Sequence, residues 1–81
     1  MNLIAVKELA QSYSALQLEQ CLSSEISEGH SACRLPQTTT TRETAIDSLA
    51  KAQVVRAYME SEHVPVGDAI RELARRMRTL Q

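Results

Sequence analysis

The sequence predicts an all-α domain of four helices, near residues 3–12, 15–28, 42–61 and 67–79, with a long connector ahead of the third. Three observations carry this prediction. Apolar residues recur at helical spacing in all four segments. Helix-start patterns of the Ser/Thr-x-x-Gln/Glu type stand at two of the starts, and Gly29 and Pro65 mark two of the stops. The run 43–61, ETAIDSLAKAQVVRAYMES, is the longest helical stretch free of Gly and Pro, and it reads as the axis of the domain.

In the first segment Leu3, Val6, Leu9, Ala10 and Tyr13 form one stripe, with Asn2 placed to cap it. The second start is written in detail. Ser14 as N-cap and Gln17 three residues on make a capping box, and Tyr13 stands where it can staple onto Leu18. That helix turns Leu18, Cys21, Leu22 and Ile26 to one face and Glu19, Gln20 and Ser23 to the other, and Gly29 is its stop. Because its start follows the first helix almost directly, the two must bend sharply against each other.

Residues 30–41, HSACRLPQTTTT, form the connector. Pro36 disfavours helix at Leu35, and four successive β-branched threonines are weak helix formers. Their length leaves the conformation of 30–41 open between a solvated linker and a binding role.

Thr40 with Glu43 repeats the capping-box pattern at the start of the third helix, and Asp47 and Lys51 make an i, i+4 pair within it. On a helical wheel Ile46, Leu49, Ala50, Ala57 and Tyr58 share one apolar face, while Val55 and Met59 fall to the other side. This helix therefore calls for cover from more than one direction. Pro65 ends the interruption that runs from Ser61 to Val66. The last helix is the clearest amphipath: Val66, Ala69, Ile70, Leu73, Ala74, Met77 and Leu80 lie on one side, with Asp68, Arg71, Glu72, Arg75 and Arg78 opposite. The predicted core comprises Val6, Leu9, Leu18, Leu22, Ile46, Leu49, Ala50, Ile70, Leu73 and Met77. The whole chain, 1–81, is one domain: a helical pair (1–28), the connector (29–41) and a helical hairpin (42–81).

Composition limits function. Folding at this length buries roughly 60–65% of the unfolded chain's surface. The absence of Phe and Trp, with two Tyr present, leaves a core of aliphatic residues. Nine basic and ten acidic residues give a charge of −1, which argues against a general polyanion binder. The balance is local, however. Residues 68–81 hold four Arg and two acidic residues, whereas 8–28 hold Glu8, Glu19, Glu25 and Glu28 and no Lys or Arg. No apolar run approaches the ~18 residues of a membrane span, and the first residues lack the basic start, longer apolar run and small-residue cleavage site expected of a signal peptide. Two cysteines are too few for a disulfide scaffold, so the sequence predicts a cytoplasmic protein with both thiols free.

No Gly-rich phosphate loop, paired carboxylates or nucleophile motif occurs, and a chain this short offers little room for a concave site of several hundred Å³. The sequence thus predicts no enzyme, no cofactor and no metal. Cys21, His30, Cys33 and His63 can be drawn as a zinc site, yet no C-x-x-C pair supports it and Cys21 lies on the core face. A redox role stays open for Cys33 in the loop, beside His30 and Arg34. The candidate interaction surface is Val55, Tyr58 and Met59 on the central helix with Arg71, Arg75, Arg76 and Arg78 on the last.

Three pieces carry a resemblance: Val6-Lys7-Glu8-Leu9 leading to Tyr13-Ser14 and Leu18-Glu19; Leu49-Ala50-Lys51-Ala52 with Val55; and Ala69-Ile70-Arg71-Glu72 followed by Arg75 and Arg76. In this order and spacing the chain resembles a family of small, uncharacterised bacterial helical proteins. The resemblance implies a bacterial cytoplasmic helical domain and transfers no activity or site residue. The function expected from the residues is a non-enzymatic helical module that presents amphipathic surfaces to a protein partner or to a second copy in a homodimer. The alternative is nucleic-acid binding through the Arg-rich last helix, in the outline of a helix-turn-helix reader. Against it stand the net charge, few polar base-reading side chains and a connection longer than three or four residues.

Overall fold

Four helices and no strand make up the described residues, 3–35 and 41–79 of the computed structural model: α1 (Leu3–Ser12), α2 (Ala15–Glu28), α3 (Arg42–Glu62) and α4 (Val66–Thr79). The roles expected of Asn2, Pro36, Thr40 and Leu80 lie outside those residues. The α2 start follows the sequence closely. Ser14 Oγ accepts the Gln17 backbone N–H at 3.2 Å while Gln17 Oε1 accepts the Ser14 N–H at 2.8 Å. Gly29 adopts φ 82°, a left-handed conformation open to Gly at no steric cost, and its N–H closes on the Glu25 carbonyl at 3.1 Å.

The α3 start lies one residue later than the Thr40/Glu43 pattern predicts. Thr41 is the N-cap and Thr44 its reciprocal partner: Thr41 Oγ1 accepts the Thr44 N–H at 3.2 Å, and Thr44 Oγ1 accepts the Thr41 N–H at 3.1 Å. A Thr at the third helical position can thus replace the usual Glu or Gln. Starting here also lets the Arg42 guanidinium donate to the Ile26 carbonyl near the end of α2.

α3 packs against α1, α2 and α4, while α2 and α4 do not meet each other. Its fully buried stripe is Ala45, Ser48, Leu49, Ala52 and Val55. Ile46, Ala50 and Ala57, expected on the main apolar face, are only half-buried. The difference has a packing cause: small residues at 45, 48 and 52 let neighbouring helices approach from several sides, so no single face dominates. Leu9, Leu18, Leu49, Val6 and Val55 are the largest fully buried side chains. Leu73 is buried as expected, whereas Leu22, Ile70 and Met77 are half-buried against the core. A radius of gyration of 11.9 Å matches the ~12 Å of a compact chain this long, so the monomer closes its own core.

The bend between α1 and α2 is held from α3. Arg56 Nη1 donates to the Ala10 carbonyl at 3.1 Å, and Glu60 Oε2 accepts the Ala15 N–H at 3.1 Å and Arg56 Nε at 2.8 Å. A cation thus meets the carbonyl end of α1 and an anion meets the N–H end of α2, as the two helix dipoles require.

Candidate functional site

The two thiols, expected to be free, are joined: Cys21 and Cys33 form a disulfide across a sequence separation of 12. Cys33 is therefore not an exposed loop thiol. It is 7% exposed and belongs to the core cluster with Cys21, so neither sulfur is available as a thiolate ligand. No group of three or more His, Cys, Asp or Glu among the described residues is placed to hold a metal ion. His30 stands in solvent, 3.6 Å from the Glu28 carboxylate. The connector docks beside the disulfide, where the Arg34 N–H donates to the Tyr13 hydroxyl at 2.8 Å.

Val55, expected at an interaction surface, is fully buried, because α3 is covered on that side too. Tyr58 and Met59 are half-buried against the core. The exposed apolar member of the pair is Val54. It lines an open groove of ≈ 350 Å³ with Gln53, Ala57, Tyr58, Ser61 and Arg76. Positions 54, 57, 58 and 61 follow i, i+3, i+4, i+7 spacing, a stripe that the sequence contains and a one-face wheel passes over.

Arg71, Arg75, Arg76 and Arg78 are all exposed on α4, as expected from its amphipathic pattern. Their charge is partly met within the helix. Arg71 pairs with Asp68 at 2.9 Å, and Glu72 accepts from both Arg75 and Arg76, the latter at 3.1 Å. The Arg75 hydrogen bond, assisted by Arg76, holds the Glu72 carboxyl below its usual pKa. The same bond raises the pKa of Arg75. The Arg76 guanidinium also lies 5.5 Å from the Tyr58 ring centroid, a cation–π distance that ties α4 to the groove.

The connection between α3 and α4 is shorter than expected. α3 continues to Glu62, leaving His63, Val64 and Pro65 between the helices. His63 takes the left-handed conformation (φ 55°, ψ 45°), and the Pro65 carbonyl accepts the Ala69 N–H at 3.2 Å. One expected objection to a helix-turn-helix outline is thereby removed.

A second cavity, ≈ 360 Å³, opens over the disulfide and is lined by Tyr13, Gln17, Gln20, Ser24 and Ala32 besides the two cysteines. The chain thus has concave space of a size its length did not suggest, yet neither of these two cavities carries a carboxylate or an imidazole. Among the described residues, no helix is long and apolar enough to cross a membrane. No family model, curated protein or solved structure matches the chain.

Proposed function

We propose that the chain is a non-enzymatic helical interaction module whose first partner is a second copy of itself. The observation that carries this reading is the separation of charge across the fold. α2 and α4 pack on α3 without touching. Exposed Glu19 and Glu28 on α2 thus sit apart from the four exposed Arg of α4. An isologous twofold pairs each acidic helix with the partner's basic one, so the complementarity is satisfied twice. The groove at Val54 and Tyr58 supplies an apolar centre beside Arg76. The resemblance to small bacterial cytoplasmic proteins belongs to the same proposal, its three motifs falling on α1–α2, α3 and α4.

Sedimentation equilibrium over a hundredfold concentration range tests it. The expected result is a dimer weakened by salt and dissociated by Val54→Glu or Arg75→Glu, with helicity retained. A mass near 9.0 kDa throughout refutes the dimer.

The three-residue turn favours one second reading, nucleic-acid binding through Arg71, Arg75, Arg76 and Arg78. Gel-shift with mixed duplex DNA and RNA at two salt concentrations separates the two. Salt-sensitive binding lost on replacing these Arg supports the nucleic-acid reading, and no shift at micromolar protein removes it.

A further inference from the structure

We propose that the Cys21–Cys33 disulfide is a redox latch, opened by a dithiol reductant, that holds residues 30–35 over the bend between α1 and α2. Three observations support a latch over a core staple. The five largest fully buried side chains, Leu9, Leu18, Leu49, Val6 and Val55, all come from α1, α2 and α3, and the connector adds to the core cluster only Cys33 among its described residues. Among its described residues, the connector's other holds include the half-buried Leu35 and the hydrogen bond from the Arg34 N–H to the Tyr13 hydroxyl. Finally, both cysteines line the ≈ 360 Å³ cavity, which gives a small thiol a route to the sulfurs.

The chemistry is two-step exchange. One thiolate of the reductant attacks the Cys33 sulfur, the Cys21–Cys33 bond breaks, and Cys21 leaves as a thiolate that takes up a proton. The reductant's second thiolate then attacks its own sulfur in the mixed disulfide and releases Cys33, which is protonated in turn. Two electrons and two protons pass to the protein, and the reductant leaves as a disulfide. With the bond gone, residues 30–35 move away from the Tyr13 hydroxyl and uncover Tyr13 and Cys21. Disulfides in reducing compartments are typically transient and redox-sensing, so in the cytoplasmic setting of the proposed function such a bond is one that a dithiol opens.

Hydrogen exchange read by mass spectrometry on the full chain, oxidised and then reduced with dithiothreitol, tests the latch, with thiol titration to show that both sulfurs have been freed. The expected result is at least tenfold faster exchange in the peptide containing Arg34, with α3 protection unchanged. Cys33→Ser should show the fast exchange with or without reductant. Three results overturn the latch: unchanged exchange after full reduction, loss of protection throughout α3, or a bond that dithiothreitol cannot reduce in the folded protein.

Discussion

Replacing Val54 and Val55 by Ala, one at a time, isolates burial from every other property of the central helix. The two residues are of one type, adjacent, and well inside α3, so each change gains the same ~0.5 kcal/mol of helix propensity. Their environments differ: Val54 is 38% exposed and Val55 is 0% exposed. Val55→Ala deletes two buried methyl groups and leaves a cavity among Leu, Val and Ala side chains, at ~1–3 kcal/mol before the propensity gain. The net loss is about 1.5 kcal/mol, which for a domain this small lowers the melting temperature by roughly 6–12 °C. Val54→Ala removes groups that water already reaches, and its net effect stays within about 0.5 kcal/mol. Thermal and urea unfolding followed by far-UV circular dichroism reads both. Equal losses at the two positions, or the larger loss at Val54, would show that α3 is rotated from the arrangement described.

Ser14→Ala removes one half of the α2 capping box, and a loss of about 1 kcal/mol in urea unfolding is expected. The Arg56 hydrogen bond, reinforced by the Ala15 N–H, holds the Glu60 carboxyl below its usual pKa. The stability it contributes is therefore present above its unfolded value of about 4.3 and lost as pH falls through the lower folded value. Wild type should melt above Glu60→Gln at neutral pH, and the gap should close on acidification. A gap that persists at the acid end refutes the assignment. Opening the Cys21–Cys33 bond restores the loop entropy of the unfolded chain, at about 3 kcal/mol for this separation. Against a total of roughly 4–12 kcal/mol for a chain this long, the reduced protein should remain folded at 25 °C and melt roughly 12–24 °C lower.

The helices were legible because their ends are spelled in local chemistry: Ser14 with Gln17, Gly29 with its positive φ, and Pro65 before α4 all act within a few residues of themselves. The faces were legible only where a helix has one neighbour side. α4 meets α3 and a little of α1, so its wheel divides cleanly and all four of its named Arg are exposed. α3 meets three helices, and a wheel that looks for one apolar face sends Val55 to the surface when it is fully buried. The signal was present in the small residues at 45, 48 and 52, which mark close helix approach rather than low hydrophobicity. The disulfide was not legible, because two cysteines 12 apart fit no spacing motif and the composition argued for free thiols. The nearest hint was that Cys21 shares the core face of Leu18 and Leu22, which makes it available to any segment crossing that face.

The Arg56–Glu60 clasp was the least legible feature, and it explains how a local opening stays local. α1 has no basic residue in its last turn and α2 no acidic residue in its first, so each helix end lacks its own electrostatic complement. Both complements arrive from α3, 46 and 45 residues away in sequence, at a distance no local pattern can report. Tyr13 sits at this bend, between Ala10 and Ala15; its backbone N–H donates to the Leu9 carbonyl and its hydroxyl accepts from the connector's Arg34 N–H. Releasing the connector costs Tyr13 one hydrogen bond. It leaves Arg56 on the Ala10 carbonyl and Glu60 on the Ala15 N–H, since neither contact involves residues 30–35. The bend is thus fixed by α3 and only covered by the connector, which is the physical condition for residues 30–35 to open while the four helices keep their packing.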